Sequence, residues 1–215
     1  SMPKAVTKID IAAFYMAKVT KVNIEDIAAW CNIEFAYESD TEDGVTDYYC
    51  SSSPINSTTI IAINGVETTD IVIPEGVGEI SNFAFYSANI TSISLPKTLT
   101  KIGIGAFEST DIVELELPEG LQTIDDVAFL GCNTLNKVTI PTTLVRIGDY
   151  AFENCTKLNA VYISDLSSWC DIIFETDHDW DEGYWEICNA NPLKYAHDLY
   201  LNGELIVDLV LPEDV

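Results

Sequence analysis

Basic residues are scarce in this 215-residue chain, in which 10 lysines and arginines stand against 35 aspartates and glutamates. The formal net charge of −25 opposes binding to the phosphates of nucleic acids and to anionic membrane surfaces. We therefore expect no nucleic-acid partner. The acidity is expected to keep the protein soluble and monomeric; alternatively, it attracts a basic partner surface or divalent cations.

Long apolar runs and catalytic motifs are also missing. No stretch approaches the roughly 20 apolar residues that a membrane-spanning helix needs, so no membrane insertion is expected. The two histidines, His178 and His197, belong to no zinc-ligand spacing or Ser/His/Asp order, and neither a nucleophile elbow nor a phosphate loop occurs. The sequence therefore predicts a protein without enzymatic activity.

A short internal repeat dominates what is present. The pair Ala-Phe occurs five times, and its last four copies are spaced by 22, 22 and 23 residues. The pairs begin at Ala13, Ala84, Ala106, Ala128 and Ala151. Ahead of each of the last four Ala-Phe pairs, an alternation of apolar and polar residues ends at a proline, and an isoleucine lies between that proline and the pair. These isoleucines are Ile80, Ile102, Ile124 and Ile147.

The repeat predicts a stacked architecture. Alternation of period two indicates a short strand with one buried face, and a fixed period of this length is typical of a solenoid. Because a single coil cannot bury its own apolar edge, equivalent Ile and Phe side chains are expected to stack along the axis.

A longer repeat overlies the short one, since residues 3–77 match residues 141–215 at an offset of 138 or 139. We expect two expanded units, at about residues 25–73 and 164–211, around regular coils at about 74–163. In each expanded unit Asp26 or Asp165 is positioned to cap a short helical turn. Asn64-Gly65 and Asn202-Gly203 predict type I′ hairpins that project from the solenoid.

Residues 147–155 (Ile-Gly-Asp-Tyr-Ala-Phe-Glu-Asn-Cys) and 201–212 (Leu-Asn-Gly-Glu-Leu-Ile-Val-Asp-Leu-Val-Leu-Pro) carry a likeness that covers essentially the whole chain. The sequence there resembles the BspA-type leucine-rich repeats. The resemblance implies one leucine-rich-repeat solenoid of right-handed coils, with a parallel β-sheet on one face and short turns, 3-10 or helical pieces elsewhere.

Members of that family are mostly surface-exposed or secreted proteins of host-associated bacteria and some parasitic protists, and several are adhesins. The resemblance therefore implies an extracellular or cell-surface recognition module that binds a protein, a cell surface or the extracellular matrix. A structural spacer and a calcium-dependent binding module are the alternatives. Exposed positions of the predicted strands form a strip suited to partner contact, comprising Asn23, Val72, Ser94, Glu116, Thr139, Tyr162 and Val210.

Acidic residues at alternate positions ahead of a glycine mark a candidate calcium site in each insertion, since carboxylate oxygens are calcium's preferred ligands. The candidates are Glu38, Asp40 and Glu42 in the first copy and Asp177, Asp179 and Asp181 in the second. The match to an EF-hand loop is poor, and a solvated acidic loop is the alternative. No other cofactor is expected.

The six cysteines divide into two groups. Cys132 and Cys155 occupy equivalent points of adjacent coils, where we expect small buried residues rather than a bond. The pairs Cys31–Cys50 and Cys170–Cys188 each flank an insertion, so a disulfide is a natural staple in an oxidising compartment. Alternatively, Cys31 and Cys170 belong to the core.

The ends indicate a segment of a longer array. No signal peptide precedes the first coil, and Ser1-Met2 is interpreted as an expression remnant. Pro3 already lies within a coil, and residues 212–215 begin a further one. We therefore expect both ends of the stack to be cut surfaces.

Overall fold

The computed structural model describes residues 1–42, 45–49, 52–175 and 190–207, with backbone alone for 40–42 and 45–49. The strands, in chain order, are β1 (Lys8–Ile9), β2 (Lys21–Ile24), β3 (Glu34–Phe35), β4 (Glu38–Glu42), β5 (Val45–Tyr49), β6 (Ile60–Ile63), β7 (Val66–Glu67), β8 (Asp70–Val72), β9 (Glu79–Ile80), β10 (Ser92–Ser94), β11 (Lys101–Ile102), β12 (Glu114–Glu116), β13 (Thr123–Ile124), β14 (Lys137–Thr139), β15 (Arg146–Ile147), β16 (Ala160–Ile163), β17 (Ile173–Phe174), β18 (Asp198–Leu201) and β19 (Glu204–Leu205). The helical pieces are α1 (Ile27–Cys31), α2 (Leu166–Cys170) and a 3-10 turn at Pro192–Lys194.

Two parallel ladders run along the stack and confirm the solenoid. The strands of three or four residues form the front sheet, extended by the antiparallel two-residue hairpin strands β7 and β19, in three hydrogen-bonded groups: β2-β6-β7, β8-β10 and β12-β14-β16-β18-β19. The remaining two-residue strands form the back ladder, β9-β11-β13-β15-β17, with β1-β3 as a separate pair. The sequence predicted a sheet on one face only. The back ladder forms because each isoleucine turns inward beside its equivalent in the next coil, as in the Ile102–Ile124 and Ile124–Ile147 pairs.

The phenylalanines of the Ala-Phe pairs form the centre of the core. Phe85, Phe107, Phe129 and Phe152 are fully buried, and consecutive ring centroids are 5.3–5.4 Å apart with interplanar angles of 1–11°. Offset or parallel stacking at such distances adds to the free energy of burying the rings. The predicted continuous core is confirmed.

The third side of each regular coil carries backbone hydrogen bonds between coils. The N–H groups of Phe85, Phe107 and Phe129 donate to the carbonyls of Ala106, Ala128 and Ala151 at 2.8 Å. Two residues per coil have a positive φ, and six of these ten donate their N–H groups to the next coil in the same way, for example Phe83 to the Ile104 carbonyl at 2.8 Å. The ten residues are Ala12, Phe83, Gly105, Val127 and Tyr150 at the first position and Met16, Ser87, Ser109, Gly131 and Asn154 at the second.

The expanded units contain the predicted capped turns. Asp26 Oδ1 accepts a hydrogen bond from the Ala29 N–H at 3.0 Å, and Asp165 Oδ1 accepts one from the Ser168 N–H at 2.7 Å. Each carboxylate thereby satisfies a donor that the first helical turn leaves free. Among the described parts of the chain, no helix has the length and hydropathy to cross a bilayer.

Both predicted Asn-Gly hairpins are present, as β6-β7 and β18-β19. Asn64 and Gly65 have φ of 50° and 85°, and Asn202 and Gly203 have 53° and 85°, as a type I′ turn requires. A third hairpin, β4-β5, occupies the first insertion, where the sequence indicated only an acidic loop.

Candidate partner-binding face

The front sheet presents five members of the predicted strip as outward side chains along the stack. Val72 pairs with Ser94 on β8-β10, and Glu116, Thr139 and Tyr162 pair in turn across β12, β14 and β16. These residues occupy outward positions between buried ones because successive side chains of a strand point to opposite faces. Val72 is 68% exposed, so the row includes an apolar contact surface.

A tyrosine pair at the C-terminal end of the row is the most distinctive part of this face. The rings of Tyr162 and Tyr200 stack with centroids 4.6 Å apart and an interplanar angle of 8°. The ammonium of Lys137 lies 4.7 Å from the centroid of the Tyr162 ring, in cation–π geometry. The three side chains form what we call the tyrosine cluster: Lys137, Tyr162 and Tyr200.

Two members of the tyrosine cluster were missed by sequence analysis. Tyr200 lies beside Tyr162 because β18 pairs with β16, a return that follows the second insertion. Lys137 lies two residues before Thr139 on β14 and therefore on the same face. Both residues could have been found from the strand register of the front sheet. The first strand of the second hairpin, β18, takes the place of the next coil strand beside β16, so its outward residue Tyr200 extends the row.

Acidic residues lie on the strands that carry or flank the tyrosine cluster. Burial, Asp198 and the neighbouring Tyr162 together raise the pKa of the Tyr200 phenol above its ordinary value, so the phenol stays neutral. Glu116 lies on the strand next to Lys137, and its partner in the ladder is Thr139. The face therefore combines aromatic surface and neutral hydroxyl groups with carboxylates at its margin.

Asn23, the first member of the predicted strip, makes structural contacts. Its Oδ1 accepts a hydrogen bond from the Gly65 N–H at 2.6 Å, and its Nδ2 donates to Ser1 Oγ at 3.2 Å. Its ladder partner, Ala62, is fully buried. Asn23 thus holds the first hairpin turn at one end of the row. The last predicted member, Val210, lies outside the described residues.

The back ladder carries a compensated ion network. The Arg146 guanidinium donates to Asp125 at 2.8 Å and from Nε to Glu175 at 2.6 Å, and its Nη2 bonds the second Glu175 oxygen. The hydrogen bond from Arg146 lowers the pKa of the Glu175 carboxyl, and its counterpart raises the pKa of Arg146. Lys101 pairs with Asp125 at 2.8 Å. Because these charges satisfy one another across coils, the network is better suited to holding the stack than to attracting a ligand.

Three of the six calcium candidates lie outside the described residues: Asp177, Asp179 and Asp181. Glu38, Asp40 and Glu42 lie on β4, where alternate residues are about 7 Å apart along an extended strand. Within the described residues, no group of three or more His, Cys, Asp or Glu side chains is arranged to hold a metal ion. The calcium site stays a prediction.

The cysteines of the regular coils are small core residues, as predicted. Cys132 and Cys155 are fully buried free thiols that donate to the carbonyls of Phe107 and Phe129 at 3.2 and 3.3 Å. Cys31 is also buried, which raises the pKa of its thiol to about 12, whereas Cys170 is exposed. Cys50 and Cys188 lie outside the described residues, so both disulfides stay predictions.

The family model for the BspA type leucine rich repeat region matches residues 62–179 of this chain in six copies. The chain belongs to the BspA-type leucine-rich repeat family. The matched residues include the regular coils, with the Ala-Phe corner and the two parallel ladders described above. A search of the curated proteins found no relative of this chain.

Solved structures of leucine-rich repeat proteins are similar to this BspA-type chain. A leucine rich cell surface protein from Faecalibacterium prausnitzii is 22% identical with a TM-score of 0.47, over 82% of this chain and 56% of that one. A leucine-rich repeat protein from Bacteroides ovatus is 23% identical with a TM-score of 0.40, over 77% and 47%. The T. pallidum leucine rich repeat protein is 26% identical with a TM-score of 0.38, over 44% and 58%. The chain thus spans between 47% and 58% of the length of these structures.

Proposed function

We propose that this BspA-type repeat module binds a protein partner through the outward row of the front sheet, with the tyrosine cluster as its centre. The module performs no chemistry of its own and acts at the cell surface or outside the cell, in adhesion to host or extracellular-matrix protein. The observation that carries the proposal is the stacked Tyr162–Tyr200 pair beside Lys137.

The composition of the row supports this role. Tyrosine is enriched among the residues that dominate binding energy in protein interfaces, because it offers a large rigid surface with a polar end at low entropic cost. Tyr162 and Tyr200 are each held by the other ring and by a strand, so little side-chain freedom remains to be lost on binding. Val72 extends the contact surface along the row.

Charge indicates the kind of partner. With a net charge of −25, the module attracts proteins that present a basic surface and repels acidic ones. The acidic side chains of Glu114 and Glu116 on β12 lie close enough to the tyrosine cluster to contact the same partner. Association is therefore expected to weaken as ionic strength rises.

The experiment is a binding assay on immobilised collagen, laminin and fibronectin, with the wild-type module and the variants Tyr162→Ala and Tyr200→Ala. Loss of a central aromatic side chain typically costs about 2 kcal/mol, or roughly thirtyfold in Kd. Tyr15→Ala is the matched control, because Tyr15 is 72% exposed and lies outside the front sheet. It is expected to bind like the wild type.

The alternatives give different results in the same assay. A structural spacer predicts no binding that depends on the row, so equal Kd values for the wild type and both tyrosine variants contradict the proposal. A calcium-dependent module predicts that a chelator abolishes binding. Binding that persists in chelator and falls in Tyr162→Ala supports the front sheet as the site.

A further inference from the structure

The back ladder is interrupted between β3 and β9. From β9 the ladder runs without a break to β17, whereas β3 pairs only with β1. In the regular coils the N–H after each ladder isoleucine donates to the ladder carbonyl of the preceding coil, as Gly103 does to Ile80 at 2.9 Å. The Ser81 N–H instead donates to the Cys31 carbonyl, at the end of α1, at 2.8 Å. The strand β9 therefore docks on α1, and β3 has no strand partner on this side.

A cleft of about 360 Å³ lies between the two strands. Glu34 and Tyr37 line one wall, and Glu79, Ser81 and Lys101 line the other. The volume lies at the lower end of the range of ligand sites, which is roughly 300–1,000 Å³. It suits a short segment of chain rather than a folded domain.

Main-chain groups of β9 face this cleft. Alternate residues of a strand bond to the same neighbour in a parallel ladder. The Ile80 carbonyl bonds to β11, whereas the Ser81 N–H points the other way, toward α1. Glu79 faces the same side as Ser81, and no partner for its N–H is found among the described residues. The edge of β9 is therefore open to hydrogen bonds from an added strand.

Charge along the outer row of the ladder lacks a cation at the same place. Lys8 pairs with Glu34 at 3.0 Å on one side of the cleft, and Glu79 is the ladder partner of Lys101 on the other. The Lys101 ammonium bonds Asp125 at 2.8 Å, and no ion pair to Glu79 is found in the part of the chain that the structure describes. Two glutamates thus border the cleft from opposite sides, and like charges in neighbouring strands disfavour direct pairing of β3 with β9.

We propose that this cleft binds an extended, basic segment of a protein partner, which adds a strand between β3 and β9 and places a lysine or arginine between Glu34 and Glu79. In strand addition the main chain provides hydrogen bonds and alternate side chains provide specificity. The chain's own ladder shows which sequence fits, a cation followed by an inward isoleucine: Lys8-Ile9, Lys101-Ile102 and Arg146-Ile147.

The site is separate from the tyrosine cluster, because it belongs to the back ladder and not to the front sheet. An acidic segment is excluded by the two glutamates, and a purely apolar one leaves both carboxylates without a cation. The module therefore has a second interaction surface, with charge as its main determinant.

The probe is the end-blocked peptide Leu-Thr-Lys-Ile-Gly, the sequence of residues 99–103, which contains one ladder strand with its lysine. It is titrated into the isotope-labelled module while amide chemical shifts and hydrogen exchange are followed. Saturable shifts are expected at Glu79 and Ser81, with slower exchange of the Glu79 N–H. The same peptide with glutamate in place of lysine is expected to bind about tenfold more weakly, because its carboxylate meets Glu34 and Glu79.

Glu79→Gln is expected to weaken binding of the lysine peptide about threefold, as for loss of an exposed ion pair. Glu114→Gln is the matched control, since it changes the net charge equally at an exposed position of the front sheet. Glu114→Gln and Tyr162→Ala are both expected to bind the peptide like the wild type, so this test is independent of the tyrosine cluster. The proposal is overturned by equal affinities of the two peptides, by equal effects of the two glutamine variants, by shifts confined to the front sheet, or by unchanged exchange of the Glu79 N–H at saturation.

Discussion

Removing the Phe129 ring opens a cavity in the middle of the phenylalanine column. Phe129 is fully buried between Phe107 and Phe152, at centroid distances of 5.4 and 5.3 Å. Hydrogen bonds between coils run beside both neighbouring rings, from the Phe107 N–H to the Ala128 carbonyl and from the Phe129 N–H to the Ala151 carbonyl, so the column has little freedom to close the space. Phe129→Ala is therefore expected to cost about 3–5 kcal/mol, in the range of large-to-small core substitutions that leave a residual cavity.

Urea unfolding followed by circular dichroism measures this cost, with Phe14→Ala as the matched variant. Phe14 belongs to the same repeat position but is only partly buried in the first coil. Its substitution is expected to cost about 1–2 kcal/mol, because part of its side chain is already in water. Comparison of the m values shows whether either variant breaks the cooperative unfolding that a free energy presupposes. Equal losses in the two variants would refute the continuous core.

Three further predictions concern titration, a turn and metal. Burial raises the pKa of Glu108 to about 7 from 4.5, so the folded chain holds an extra proton between these values and stability falls as pH rises through this window. Glu108→Gln is accordingly expected to gain up to about 3 kcal/mol at pH 8 and nothing at pH 4, measured by urea unfolding at both pH values. Gly65→Val places a β-branched residue at a φ of 85°, so faster hydrogen exchange is expected at the Thr68 N–H, which bonds Ile61, with little change in core stability. A thermal melt with excess calcium and with chelator tests the acidic insertions; a rise in Tm with calcium favours metal sites, and equal melts favour solvated carboxylates.

Most of the solenoid follows from the sequence because its causes are local and repeated. The Ala-Phe column, the aspartate caps and the Asn-Gly hairpins each depend on a residue type at a fixed spacing, and each is present as predicted. Repetition makes such signals additive, since an error in one coil is corrected by its neighbours.

The third side of the coil could not be predicted from local preference. Val127 and Tyr150 have φ of 52° and 54°, a conformation that β-branched and bulky residues rarely adopt. The strain is offset by hydrogen bonds to the next coil, such as the Val127 N–H to the Asp149 carbonyl at 2.9 Å. Tertiary stacking therefore selects a backbone that the residues alone disfavour.

The candidate site was predicted in part for a related reason. The outward row follows from the period-two alternation, which placed Glu116, Thr139 and Tyr162 on one face. Tyr200 required the register of a strand that returns after an insertion of unknown path. This long-range pairing depends on how β18 stacks beside β16. The residues near Tyr200 in the sequence do not specify it.

Hydroxyl-radical footprinting of the bound module tests whether the tyrosine cluster contacts the partner, because exposed tyrosines react and protected ones do not. The probe is the extracellular-matrix protein that binds in the assay above, with Tyr15 as the internal reference since it is 72% exposed and lies outside the front sheet. Binding is expected to lower the oxidation of Tyr162 and Tyr200 and to leave that of Tyr15 unchanged. Unchanged oxidation of the tyrosine cluster in the presence of saturating partner would contradict it.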